Sequence, residues 1–301
     1  ALLETGYVDL DDSIEIDGGH VTFYKDEMVD AYPHNIDTTT VQHVFEMSSN
    51  VGMAKLVQRY FGDSKKEEKF IEYLKEFNLH LKTGIEVDGE AAPYIKEAFD
   101  ASNGWSGTTL PWMSTGYEVM LTPLQMLNFY NAVANDGQMV KPYLVSEVRE
   151  YGNTVDRFPP TVIKRRIASK RSIEKVQFLL EQVVLNGTAK KLKTDKYNFA
   201  GKTGTAQVNY KRLNDKTHVG GYQASFAGYF PAENPKYSCI VLISEPKSFG
   251  QYGAEVALPV FREIADQIFT TKLELPTPIN IGPKPELVKN QLPDYHIGDR
   301  K

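Results

Sequence analysis

The stretch Phe199-Ala-Gly-Lys-Thr-Gly-Thr-Ala206 constrains the fold most. It reads as a short strand arriving at a cationic, hydroxyl-rich tip. Two further strand-like runs follow, Ala224–Phe230 and Tyr237–Glu245. Between them lies Pro231-Ala-Glu-Asn-Pro235, a cluster of residues that favour turns. The core of the last run, Cys239-Ile-Val-Leu-Ile243, is apolar enough to expect burial on both faces. A helix over about residues 253–269 closes this region.

At the tip, Lys202 supplies an ammonium and Thr203 and Thr205 supply hydroxyls. Gly204 permits close approach of another backbone. This set suits an anionic, amide-rich substrate. Lys202 would hold a carboxylate and bias nearby pKa values, Thr203 and Thr205 would hydrogen-bond the substrate, and the Thr205 N–H would face a developing oxyanion. The plainer alternative is a strand end with a glycine bulge and an exposed lysine.

Composition narrows the function classes. The chain has 301 residues, 41% hydrophobic and 24% charged, which describes an ordinary globular protein. A net charge of −5 argues against nucleic acid as the main partner. The single Cys239 excludes an internal disulfide and a multi-cysteine metal site. The six histidines include no H-E-x-x-H pair, so no zinc hydrolase is expected. No apolar run reaches membrane-spanning length, and no signal peptide is recognisable. Ala1–Glu4 reads as the last turn of a helix stopped by Gly6, as in a fragment of a longer protein.

Further along the chain, Ser13–Tyr24 alternates around Gly18-Gly19 and is expected to form a hairpin. Thr38–Phe61 is expected to be one helix capped by a threonine, interrupted by the polar triplet Ser48-Ser49-Asn50. Residues 64–77 read as an amphipathic helix burying Phe70, Tyr73, Leu74 and Phe77. Residues 78–116, with Trp105 and Trp112, read as loop. Thr122-Pro-Leu-Gln125 has a cap, a first-turn proline and a capping-box glutamine. Residues 138–150 read as extended and 172–186 as a helix capped by Ser172. A polar loop is expected over 207–221 and a proline-rich tail or linker over 276–301, leaving 1–275 as one domain.

Two polar groups within an apolar helix need partners, so Ser48 and Asn50 draw attention. Ser48 could relay a proton while the Asn50 amide binds a peptide; a solvated face or local cap would also explain them. The one S-x-x-K on a stretch expected to be helical is Ser172-Ile-Glu-Lys175, which a helix cap accounts for. No other stretch expected to be helical carries a serine with a lysine one turn later.

Several segments together resemble the transpeptidase domain of class B penicillin-binding proteins, most like the division-specific, FtsI-like septal type. They are Phe45–Lys55, Thr83–Glu90, Gly116–Gln125, Lys202–Ala206, Ala227-Gly228 and Gly253–Phe261, in family order over nearly residues 1–270. K-T-G and a serine–x–asparagine element belong to the signature of this class. The resemblance implies an α+β, penicillin-recognising serine transpeptidase fold: an antiparallel sheet flanked by helices, plus a helical subdomain. It implies that Ser48, Asn50 and Lys202 are catalytic, that Thr203, Gly204 and Thr205 bind substrate, and that the nucleophilic serine lies upstream of Ala1. Three of five sheet strands should then be present, leaving an open apolar edge that invites a homodimer or poor solubility.

The resemblance further implies acyl transfer from the D-Ala-D-Ala end of peptidoglycan stem peptides, with β-lactams acylating the same serine. Neither metal nor organic cofactor is implied. The intact protein would be anchored in the cytoplasmic membrane, face the periplasm or cell wall, and contact division-complex membrane proteins. Glu118, where relatives often have glycine, is a departure close to the site. Three rivals remain: a β-lactamase or D,D-carboxypeptidase of the same fold, a non-catalytic scaffold or sensor, and a peptide-binding module on the Lys202 strand.

Overall fold

The computed structural model describes residues 1–63, 66–208, 221–248 and 250–271. Its organising element is a three-stranded antiparallel sheet: β1 (Ala200–Gln207), β2 (Tyr222–Phe230) and β3 (Tyr237–Ser244), in that spatial order. Lys202 lies opposite Ala227, which lies opposite Ile240. The central strand β2 is the most deeply buried, with Phe226, Tyr229 and Phe230 nearly inaccessible. Strand β3 is half-buried along Tyr237–Ile243, not buried on both faces as its composition suggested. It has one sheet neighbour among the described residues, so its outer edge lacks the cover that would bury it.

The helices are α1 (Leu2–Thr5), α2 (Val41–Met47), α3 (Asn50–Phe61), α4 (Glu67–Glu76), α5 (Thr109–Met113), α6 (Pro123–Ala134), α7 (Lys170–Leu185) and α8 (Gly253–Thr270). Three apolar clusters hold them together. One is a helical lobe in which Val44, Val51, Leu56, Phe61, Phe70 and Leu110 meet. A second packs α8 against the sheet through Phe199, Phe226, Leu258 and Phe261. A third joins Ala200 and Tyr229 to α6 and α7 through Ala132, Val133, Ile173 and Leu180. The half-buried Phe45, near the end of α2, packs against both of the latter clusters. No helix among the described residues is long and apolar enough to cross a membrane.

Local chemistry explains most element ends. Gly6 stops α1 in the left-handed region at φ 70°. Thr122 caps α6: its hydroxyl accepts from Gln125 N–H at 3.2 Å, and the Gln125 side chain accepts from Thr122 N–H at 2.8 Å. The Gln125 amide also donates to Ala91 O at 3.2 Å, tying α6 to the loop closed by Glu90. There Glu90 accepts from Thr83 N–H at 2.7 Å.

Several expectations need correcting. The region 38–61 is not one helix: Thr38–Thr40 is extended, Thr40 caps α2, and the chain breaks at Ser48-Ser49 before α3. Ser49 starts a new helix by capping it, a stronger local preference than continuing the old one. Gly18-Gly19 turns no hairpin. Ser13–Glu15 pairs with Thr38–Thr40, and His20–Phe23 pairs with Asp26–Val29. The two glycines instead make a tight turn that packs on Asp30 and His34. The cap of α7 is Ser169, three residues before Ser172. Within 78–116, Thr109–Met113 is helical with Trp112 buried. Residues 138–150 are extended only in part, as Met139–Val140 and Glu147–Glu150. Most of the 207–221 loop, and the tail expected over 276–301, lie outside the described residues.

Candidate active site

Ser48 sits at the corner between α2 and α3. It adopts φ 60°, ψ 42°, the left-handed conformation that ends α2, and its side chain is exposed. A non-glycine residue there costs about 1–2 kcal/mol, so the surroundings must hold it. They do so from beneath. Ser49, 1% exposed, donates its hydroxyl to Asp30 Oδ2 at 2.6 Å and accepts from Gly52 N–H at 2.9 Å. Asp30 Oδ1 accepts Val51 N–H at 2.9 Å, placing a carboxylate at the N-terminus of α3. His34 Nε2 lies 3.1 Å from Asp30 Oδ2. A side chain at Gly19 would come within 2.9 Å of the His34 ring, so glycine is required behind this network. Neither Asp30 nor His34 stood out in the sequence. Their four-residue separation in a segment with no helical pattern was the available signal.

Lys202 reaches this corner from β1. Its Nζ donates to Ser48 Oγ at 2.6 Å and to Thr203 O at 3.3 Å. The ammonium lies 5.8 Å from the centre of the Phe45 ring. Burial pushes the Lys202 pKa down to about 8. Alternation along a strand places Thr203 and Thr205 on one face and Lys202 and Gly204 on the other. Thr203 Oγ1 is 2.9 Å from Thr188 Oγ1, and Thr205 Oγ1 accepts Gly253 N–H at 3.1 Å. Gly204 has an internal reason to be glycine: a Cβ there would lie 2.6 Å from Ser225 Oγ. Asn50 is half-buried in the first turn of α3, two residues from Ser48.

The structure thus brings Ser48 and Lys202 into contact from elements about 150 residues apart in sequence, with Asn50 two residues from the one and Thr203–Thr205 next to the other. The Lys202 cation and the Ser48 hydroxyl meet there beside a strand that, among the described residues, is an edge of the sheet, its outward backbone groups facing away from β2. Such a site can hold a carboxylate while an extended peptide lies along β1.

Ser172 and Lys175 belong elsewhere. Ser169 N–H donates to Glu4 Oε2 at 3.0 Å, and Ser169 Oγ donates to the same atom at 2.8 Å. Burial alone would raise the Glu4 carboxyl, but hydrogen bonds from Ser172 and Ser169 outweigh it and hold the pKa below the usual range. Lys175 Nζ donates to Asp9 Oδ1 at 2.7 Å, and that contact brings Asp9 down to about 2. Glu118 has φ 63° and accepts from Lys96 Nζ at 2.8 Å, their side chains 12% and 4% exposed. Next to it, Tyr117 OH accepts Gln207 N–H at 3.4 Å, linking this loop to the end of β1.

Known proteins resemble this chain in sequence and fold. The family described as "Penicillin binding protein transpeptidase domain" matches residues 1–266. Penicillin-binding protein PbpB of Mycobacterium tuberculosis is 30% identical over 96% of this chain and 41% of its own length. Peptidoglycan D,D-transpeptidase FtsI of Escherichia coli is 28% identical over 84% of this chain and 39% of its own. The chain therefore spans about two fifths of the length of these relatives. Among solved structures, penicillin-binding protein 3 of Mycobacterium tuberculosis complexed with ampicillin superposes with a TM-score of 0.73 at 29% identity, covering 94% of this chain and 62% of the other. The order of the three strands, the broken helix carrying Ser48, the lysine that meets it and the match over residues 1–266 lead to one assignment: the chain belongs to the penicillin-binding protein transpeptidase domain family.

Proposed function

We propose that this chain is the greater part of a D,D-transpeptidase domain that binds the D-Ala-D-Ala end of peptidoglycan stem peptides. The observation that carries the reading is the 2.6 Å contact between Lys202 Nζ and Ser48 Oγ. In this reading the terminal carboxylate lies at the outer edge of β1, where the Lys202 ammonium reaches it from one face and the Thr203 and Thr205 hydroxyls from the other. Asn50 binds a peptide amide, Gly204 gives the substrate backbone room to approach, and the Thr205 N–H faces the oxyanion. Ser48, hydrogen-bonded to Lys202, relays the proton between the nucleophile and the leaving D-alanine nitrogen.

The nucleophile is a serine in an S-x-x-K helix carried by sequence preceding Ala1. The one helical instance of the motif among the described residues, Ser172–Lys175, is engaged with Ser169, Glu4 and Asp9; Ser244-Glu-Pro-Lys247 also matches but begins at the end of β3, not on a helix. Attack by that serine on the penultimate D-Ala carbonyl expels D-alanine and forms an ester. An amine of a neighbouring stem peptide then displaces the serine, and β-lactams acylate the same oxygen. The intact protein is anchored in the cytoplasmic membrane, faces the wall, and works with division-complex membrane proteins.

The test is direct. The sequence preceding Ala1 should carry S-x-x-K in helical register with α1, and a polypeptide including it should be labelled covalently by fluorescent penicillin, whereas residues 1–301 alone should not. A preceding sequence without S-x-x-K would favour a scaffold or sensor of the same fold. The open edge of β3 extends the proposal to self-association of the 301-residue chain. Light scattering at the mass of a monodisperse monomer would refute that extension.

A further inference from the structure

Gly187 and Thr188, just past the C-terminus of α7, touch both halves of the site. Gly187 is buried against the last turn of α2: a Cβ there would lie 2.4 Å from Glu46 O and 2.9 Å from the Val183 backbone. Only glycine lets the two chains come this close. The approach allows Thr188 N–H to donate to Glu46 O at 3.1 Å, satisfying a carbonyl that the end of a helix otherwise leaves unpaired. Glu46 is two residues before Ser48. The half-buried Thr188 side chain meets Thr203 Oγ1 at 2.9 Å, and Thr203 follows Lys202 directly. One residue therefore fastens the end of the serine-bearing helix and the lysine-bearing strand.

We infer that Thr188 is a positioning residue for carboxylate recognition, acting through the hydroxyl of Thr203. The inference rests on the functional reading above. Two hydroxyls in contact share one hydrogen bond, so only one of them donates to the other. When Thr203 donates to Thr188, its proton is spent. When Thr188 donates to Thr203, the Thr203 proton is left to point outward. A carboxylate at the outer edge of β1, within reach of the Lys202 ammonium on one face and the Thr203 hydroxyl on the other, selects the second arrangement, and the Thr188 donor holds Thr203 in it. Without the Thr188 hydroxyl, Thr203 keeps its group but loses its orientation, and the ligand must supply the ordering.

The experiment uses the 301-residue chain and two probes, N-acetyl-D-Ala-D-Ala and the same peptide with a C-terminal amide, titrated by NMR. Thr188→Val keeps the shape and removes the hydroxyl; Thr188→Ser keeps the hydroxyl. The preference for free acid over amide should fall about three- to tenfold in T188V, the range of one hydrogen bond, and stay within about twofold of wild type in T188S. In a Thr203→Val background, T188V should add nothing. T188A serves as the second hydroxyl-free variant if T188V does not fold. Equal preference in wild type and T188V overturns the inference, and so does weakening of acid and amide alike, which would mark a purely structural role. A wild-type chain that binds neither peptide overturns the functional reading and the inference with it. Binding with no acid–amide preference overturns carboxylate recognition alone.

Discussion

Asp30→Ala is the perturbation that most sharply tests how the Ser48 corner is held. Asp30 is 7% exposed and accepts the Ser49 hydroxyl at 2.6 Å and Val51 N–H at 2.9 Å, with His34 Nε2 at 3.1 Å. Each hydrogen bond to a charged group contributes about 1.5–3 kcal/mol, but removing the carboxylate also removes its own desolvation cost. Stripping one partner from a buried ionic network typically costs about 3–5 kcal/mol. Alanine here leaves the Ser49 hydroxyl and a first-turn N–H of α3 without their acceptor, so a net loss of about 3–4 kcal/mol is expected. At about 2 °C per kcal/mol for a chain of this size, the melting temperature should fall by roughly 6–8 °C. Urea unfolding followed by circular dichroism reads the stability. Ser49→Ala should cost less, about 1–2 kcal/mol, and the double variant should fall short of the sum by at least about 0.5 kcal/mol because the two groups touch. A loss below about 1 kcal/mol for Asp30→Ala would refute the argument that this carboxylate anchors the corner.

Two further outcomes follow from the charges. Burial brings the Lys202 pKa down to about 8, so the side chain is mainly cationic at pH 7 and loses its charge as pH rises through that value. Affinity for N-acetyl-D-Ala-D-Ala should accordingly fall between about pH 8 and 9.5, by up to about tenfold per pH unit; a flat titration profile would contradict a carboxylate-binding Lys202. Glu118→Gly relieves a left-handed φ of 63° but leaves the nearly buried Lys96 without this carboxylate. The strain relieved is about 1 kcal/mol and the broken pair costs about 3–5 kcal/mol, so urea unfolding should show a net loss of about 2–4 kcal/mol.

The sequence was most legible where a local rule and a long-range demand agreed. The three strands ran where their strand-like runs and the Pro231–Pro235 turn placed them. The capping box at Thr122 formed as written because its partners are three residues apart and need nothing else. Ser48 and Lys202 could be named as candidates, but their contact depends on where the end of α2 is held relative to β1, which residue spacing does not encode. The break at Ser48 was hidden because the apolar positions on either side share helical spacing. What decides it is Asp30, a distant carboxylate that caps α3 through Ser49. The cap of α7 was misplaced by three residues because Ser169 and Ser172 are both plausible caps by type. Glu4, more than 160 residues away in sequence, selects the first by accepting from Ser169 N–H and hydroxyl. Thr188 carried no local signal, since its partners Glu46 and Thr203 belong to other elements.

The central claim is that the Ser48–Lys202 corner receives a peptide carboxylate. The most direct measurement is the map of amide shift changes in the isotope-labelled chain on titration with N-acetyl-D-Ala-D-Ala. Changes should centre on Ser48, Asn50 and Lys202–Thr205, and vanish in Lys202→Met. Changes centred on another face, or unaltered by Lys202→Met, would contradict it.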